Sequence, residues 1–482
     1  MKYYILKLDI FFSRIIVLKQ RAVIFFALIF LTSCHAGQDY VRPKIIMPKE
    51  FVSQKILKAL NEKNKKEVIP ANWWEGFKDN TLNNLVSESL ANNFEIASAM
   101  AKVKAANARV NLSASGDSVK LGVNANNYLQ EQDNVDGVKD RETTRRSTGG
   151  IDLSISPDVS GKVKREVEFA LANLEFEREG LKGVVLRVSS EVAQEYIKLR
   201  GSQHRLNLLN ESIKLQEHTL EVVKERYNSG LSPDLDVQRA TASLETLKVD
   251  APELDKAIFN SISRLANLAG KNAGDYKALL SKLGDIPVYK AKIPTLLPLE
   301  VLNMRHDIRQ SEARLKQAIA NIGIKEADYY PSFELGGQIG LGVEKVSSAS
   351  LANVLIGNIG LLIKQAVFDG GARSANIEAS KAQAEDALAN YKQTILNASE
   401  KVENALVSID AAKKRKSHLN ALERTNKNSF EQAEELYKSG LIDFLDVIDS
   451  QRNWASSRQR LAAENANCSI EISKLFFELS VD

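Results

Sequence analysis

Cysteine, histidine and proline are scarce in this 482-residue chain, and each shortage removes a class of protein. Two cysteines, Cys34 and Cys468, are too few for a disulfide framework. The five histidines (His35, His204, His218, His306 and His418) are scattered, with no HxxxH or other metal-ligand spacing. No Ser-His-Asp or Cys-His arrangement can be assembled. The glycine run GGQIGLG at 336–342 lacks the GK[ST] that a phosphate loop needs, and it lies in an alternating, strand-like stretch. An enzyme is therefore not expected, nor a cofactor or metal. Excess charge of one sign is also missing. The formal +4 resides in residues 1–33, where Lys2, Lys7, Arg14, Lys19 and Arg21 face Asp9, so the remainder is near neutral and nucleic acid is not expected as a partner. Only ten prolines occur, none after Pro331, which favours long helices.

The basic start leads into an apolar run, Ala22 to Leu31, shorter than the ~20 residues that cross a bilayer. It ends Leu31-Thr32-Ser33-Cys34, which resembles the lipobox of bacterial lipoproteins, cut before the cysteine and acylated on it. Residues 1–33 are thus expected to be a signal peptide and Cys34 the lipidation site, the covalent lipid being the only non-protein group anticipated. A polar tether, QDYVRPKIIMPKEF and a charged linker, runs to residue 70. Beyond it, Trp73, Trp74 and Phe77 read as a packing anchor, and an amphipathic helical run begins near Thr81.

The rest is written twice. YNSGLSPDLDVQR (Tyr227 to Arg239) returns 210 residues later as YKSGLIDFLDVID (Tyr437 to Asp449), with seven of thirteen positions identical. The first copy, 71–270, holds a helix, a strand hairpin at 118–156, a long helix at 161–228 and a return helix at 234–270. A linker, 271–298, leads to the second copy, 299–482, with a strand hairpin at 332–367, a long helix at 371–438 and a return helix at 444–478. The hairpins show in two-residue alternation (Val119, Leu121, Val123; Ile151, Leu153, Ile155; Ile339, Leu341, Val343). The first long helix shows in a seven-residue step, Val185, Val192, Leu199, Leu206, Ile213, Leu220 and Tyr227, the seam of a coiled coil. In copy two that stripe carries Lys416 and Glu423. Gly230 and Gly440 then read as left-handed caps that turn each hairpin.

Four strands cannot close a membrane barrel, since known ones start at eight, and an open edge in lipid costs several kcal/mol per unpaired group. The long helices also need a neighbour for their seam. A closed homo-oligomer follows, with three chains favoured over two because eight strands leave little bore.

The chain resembles the TolC-like outer-membrane efflux family, in its lipoprotein branch of NodT or OprM type. The resemblance rests on the Cys34 lipobox, YVRP, WWEGFKDNTLNNL, NNFEI, APELDKAIFNSISRLANLAG, FDGG at 368–371 and the two YxSG turns. Asn80 departs from the pattern, standing where the family usually has proline. The resemblance implies a mainly α protein with a membrane β-barrel, a trimer whose twelve strands form a barrel on a twelve-helix periplasmic tube. It implies an outer-membrane location with a lipid anchor and a long periplasmic extension. It further implies a passive exit duct for small molecules, joined through a periplasmic adaptor to an inner-membrane pump of RND type. The alternatives are a duct for type I protein secretion and a structural envelope lipoprotein that conducts nothing.

The same resemblance assigns the tip residues. Asp446 and Asp449, three apart on one helix face, match the family's entrance motif and would form carboxylate rings that favour cations. Asp236 and Tyr437 match a latch in which the aspartate bonds the tyrosine. The bland alternative is that Asp234, Asp236, Asp443 and Asp446 merely cap helix N-termini, where carboxylates are favoured; Asp443 is assigned to that role.

Overall fold

The computed structural model describes residues 36–44, 52–53, 72–133, 141–291, 305–346 and 352–479. The signal segment 1–33, Cys34, most of the tether to residue 70 and both strand-hairpin tips lie outside the described residues. A short 3-10 helix (Trp73–Phe77) precedes α1 (Asn80–Asn92), α2 (Phe94–Ala114), β1 (Lys120–Asp133) and β2 (Arg141–Ile155). Then come α3 (Lys162–Asn228), α4 (Asp234–Leu268), α5 (Ala273–Leu280) and α6 (His306–Ala327). The second copy continues with β3 (Ser332–Val346), β4 (Ala352–Lys364), α7 (Ala372–Lys438) and α8 (Phe444–Leu479).

The helical run expected from Thr81 is two helices, because Asn93 breaks it. Its backbone is extended (ψ 127°), and its side-chain oxygen accepts from the amides of Glu95 (2.9 Å) and Ile96 (3.1 Å). That is an N-cap, and it starts a new helix at Phe94. The expected linker likewise contains α5, opened by an Asn272/Asp275 capping box.

The chain divides into two compact units: residues to Pro43 with Lys104–Phe176 and Glu312–Asn390, and Lys44–Val103 with Glu177–Ser311 and Tyr391–Asp482. The first holds an antiparallel sheet in the order β1-β2-β3-β4, with β1 and β4 at its edges. Partners in register share a face. Leu121, Leu153, Gly337 and Ile359 lie together on one face, as do Val123, Ile151, Ile339 and Gly357. Leu121, Val123, Ile151, Leu153, Ile339 and Ile359 are exposed. The other face carries Asp152, Gln338 and Asn358 in register. There Asn124 donates to Asp152 (3.0 Å), Gln338 to Asn124 (3.2 Å) and Asn358 to Gln338 (3.5 Å), a polar chain that touches all four strands. GGQIGLG lies within β3.

The second unit buries the main core. Trp73 is fully buried and stacks on Phe476 with ring centroids 5.2 Å apart, while Phe77 meets Tyr289 edge-on. Leu82, Leu85, Val192, Tyr196, Leu199, Val402 and Leu406 pack in the same cluster. Fully burying side chains of this kind stabilises by ~1.5–3 kcal/mol each, so the Trp-Trp stretch works as an anchor. Along the seven-residue stripe of α3, Val192, Leu199 and Leu220 are buried, whereas Tyr227 at its end is exposed.

Candidate gate at the helix-hairpin turns

Each long helix ends in the same backbone device. Gly230 and Gly440 adopt φ of +72° and +73°, a conformation that costs residues with a Cβ ~1–2 kcal/mol. The amide of Gly230 donates to Tyr227 (2.9 Å) and that of Leu231 to Arg226 (2.8 Å). In the second turn Gly440 donates to Tyr437 (3.0 Å) and Leu441 to Leu436 (2.9 Å). These paired bonds satisfy carbonyls left over at a helix C-terminus. Even the serines match, Ser229 bonding Glu225 and Ser439 bonding Glu435, each at 2.9 Å.

Beyond the turns α3, α4, α7 and α8 share a second apolar cluster. It contains Leu220, Val223, Ala240, Leu244, Phe430, Phe444, Val447 and Ile448. Tyr437 packs against it, its ring 5.5 Å from that of Phe444, with the Arg226 guanidinium 4.8 Å from the ring centre. Trp454 stacks on Phe430 at 5.4 Å and donates to Glu423 at 3.0 Å. This bond explains how Glu423 sits half-buried on a stripe that is mostly apolar.

The aspartates have unequal surroundings. Asp236 accepts from the Ser232 hydroxyl (2.9 Å) and lies 3.8 Å from Arg239. Asp446, in the first turn of α8, is exposed. Asp449, one turn on, is half-buried and ion-paired to Arg452. Asp443 precedes Phe444, the first residue of α8, and its carbonyl accepts from the Asp446 amide at 3.1 Å. The direct Asp236–Tyr437 hydrogen bond implied by the resemblance does not form among the described residues, since Asp236 is held by its own helix turn. Burial pushes the Tyr437 hydroxyl above the usual tyrosine range; the Arg226 cation pulls it back down and the Asp236 charge pushes it up again.

A cavity of about 250 Å³ opens between α3, α4 and α8, lined by Gln216, Arg239, Ser243, Asp449, Gln451 and Trp454, among others. Gln451 is 5% exposed, and neither atom of its amide has a hydrogen-bond partner among the described residues. Arg226, Arg239, Arg452, Gln451 and Trp454 were not singled out from sequence. Arg239 was visible there: it ends the first turn motif at the position Asp449 holds in the second. No sequence signal marks Gln451.

With this geometry in hand, the relatives fall into one class. The chain matches the model of the Outer membrane efflux protein family over residues 85–271 and 297–475, and it belongs to that family. It is therefore an outer-membrane efflux channel protein, not an enzyme. Nodulation protein T of Rhizobium leguminosarum bv. viciae is 27% identical over 439 residues, 90% of this chain and 87% of that protein. Cation efflux system protein CusC of Escherichia coli O6:H1 is 28% identical over 438 residues, 89% of this chain and 92% of its own length. Among solved structures, the outer-membrane channel OprN superposes with a TM-score of 0.85 at 26% identity, over 93% of this chain and 99% of that one.

Proposed function

We propose that three copies of this chain close into a duct through the outer membrane, gated at the helix-hairpin turns and anchored by a lipid on Cys34. The observation that carries this reading is the sheet. One face is apolar and exposed, the other polar and bonded across all four strands, and both edges are unpaired within the chain. Such a sheet suits lipid on one side and water on the other, provided its edges are sealed. Twelve strands from three chains seal them. Among the described residues no helix is long and apolar enough to cross a membrane, so spanning falls to the strands.

The duct takes small molecules from an inner-membrane RND-type pump through a periplasmic adaptor, and the relatives named for efflux support that reading. Asp446 and Asp449 ring the entrance as three-fold sets of carboxylates that favour cations. Tyr437 helps to hold the hairpins together by packing on Phe444 and under the Arg226 guanidinium, while Asp236 fixes the start of its own helix through Ser232. Contact with the adaptor or pump releases this cluster, and α8 swings outward.

Planar-bilayer recording of the purified protein tests the reading. The wild type gives cation-preferring channels. The double substitution Asp446→Ala with Asp449→Ala raises conductance, on the order of twofold, and lowers the cation preference. Currents unchanged by the double substitution would remove the gate assignment, and absence of any channel would remove the duct.

A further inference from the structure

The segment that follows Cys34 is bound by a built site in the sheet-bearing unit. Arg165, on the first turn of α3, is 2% exposed. Its Nε donates to the Ala36 carbonyl (2.8 Å) and Nη2 to the Gly37 carbonyl (3.0 Å), while Nη1 meets Asp39 (2.9 Å) and Glu168 (2.6 Å). A guanidinium offers five donors in a fixed fork, a geometry that suits two successive carbonyls and two carboxylates. Further along, Glu312 on α6 accepts from the Tyr40 hydroxyl (3.0 Å) and pairs with Arg42 (3.0 Å). The two polar side chains of YVRP thus converge on one carboxylate that is 8% exposed. Gly37 has φ +79°, and a Cβ there would lie 2.6 Å from Cα of Gly323. Both glycines are needed for the segment to seat.

These contacts fix a direction. Gly37 lies at Gly323, and Tyr40 and Arg42 lie at Glu312. Eleven helical residues rise ~16 Å, and five residues of extended chain cover about the same distance, ~16 Å. The segment therefore runs along α6 away from its C-terminal end, the end that leads through Ala327 into β3 at Ser332. Ala36 is thus the end of the described segment nearer the sheet. Cys34 is two residues away, at most ~7 Å of chain. Neither clamp residue is a product of the internal repeat. By the offsets of the duplication Arg165 corresponds to Ala375 and Glu312 to Met100.

We propose that Arg165 and Glu312 form a clamp for residues 36–42 that aims Cys34 at the foot of the strands and sets the reach of its lipid. This rests on the lipoprotein reading above. The clamp turns a loose tether into a short one and registers each sheet at the same depth before the copies pair. Freeing the segment lengthens the flexible link from about two residues to about ten, and the effective concentration of sheet at the membrane falls about tenfold.

The test uses the full chain expressed in its membrane, with a nitroxide on Gln38→Cys in a Cys468→Ala background. In the parent the label is immobilised; in Arg165→Ala and in Gly37→Ala it becomes mobile. Gly37→Ala leaves α3 intact, so it reports on the clamp even if Arg165→Ala disturbs the helix. Palmitate incorporation stays at the parent level in both variants, while heat-stable oligomer in the outer membrane drops about tenfold. Arg165→Lys, which offers a point charge in place of the fork, does not restore it. A mobile label in the parent, or an immobile one in Gly37→Ala, overturns the clamp. A mobile label with full oligomer yield overturns its role in insertion. Failure of the parent to take up palmitate would instead sink the lipid anchor, and the same label read with Cys34→Ala added would still judge the clamp.

Discussion

The two hairpin turns are nearly the same object in their backbones and different objects in their side chains. Their glycines differ by 1° in φ, and their capping bonds agree within 0.1 Å. Two residues past the glycine they part. Copy one continues Ser232-Pro233-Asp234, so α4 begins with a polar residue and Asp236 is tied to Ser232 and Arg239. Copy two continues Ile442-Asp443-Phe444, so α8 begins by burying an aromatic ring. Where copy one has an aspartate and an arginine three apart, copy two has Asp446 and Asp449. Duplication kept the turn because its geometry is set by one glycine and two amides. It released the flanks: copy one sets Arg239 beside Asp236, while copy two puts a second acid, Asp449, at that place and pairs it with Arg452. On the proposed reading, ion selection belongs to copy two.

The largest expected effect tests the packing half of this contrast. Phe444→Ala should destabilise the tip by ~3–5 kcal/mol, the usual cost of removing a buried ring. Its counterpart Asp234→Ala should change stability by less than about 0.5 kcal/mol. Thermal unfolding followed by tryptophan fluorescence measures both, and equal losses would erase the distinction.

The charge half comes next. Asp449→Arg gives copy two the acid–base spacing of copy one and should lower cation preference several-fold, roughly three to five times. Arg239→Asp, the reverse exchange, should alter it less because Asp236 remains bonded to Ser232. Reversal potentials in a salt gradient read both. A larger shift from Arg239→Asp would move selectivity to the first hairpin.

The smallest effect concerns the latch. Without a direct bond to Asp236, Tyr437→Phe should cost less than about 0.5 kcal/mol, whereas Arg226→Ala should cost ~0.5–1 kcal/mol through the lost ring contact. A double-mutant cycle with Asp236→Ala decides: a coupling well above ~0.5 kcal/mol between Tyr437 and Asp236 would restore the direct bond.

Much of the fold was open to reading from the chain. The seven-residue step from Val185 to Leu220 is found in one helix, and the alternation at 121–123 and 151–153 in paired strands. Periodicity is a local property, and burial of one face enforces it. Asn93 was missed because its helix-breaking role depends on a side chain that caps the next helix and also donates to the Leu268 carbonyl (2.9 Å), 175 residues away. Cys468 is half-buried, with burial and nearby Glu464 raising its thiol pKa. At the gate, residue types and spacing were legible, but their partners were not. Nothing local says that Asp236 will bond Ser232 rather than Tyr437.

By itself the sequence determined the duplication, the two turns, the four strands with one greasy side, and the shortage of strands that demands further copies. The turns and strands follow from residue order within a dozen positions, where backbone sterics and a two-residue or seven-residue rhythm leave few options; the duplication is read by comparing segments 210 residues apart. The folded chain alone decided which charges meet. Arg165 reaches back to Ala36, Glu312 to Tyr40, and Trp454 to Glu423. A hydrogen bond acts over about 3 Å, and only three-dimensional packing can bring groups so distant in sequence that close.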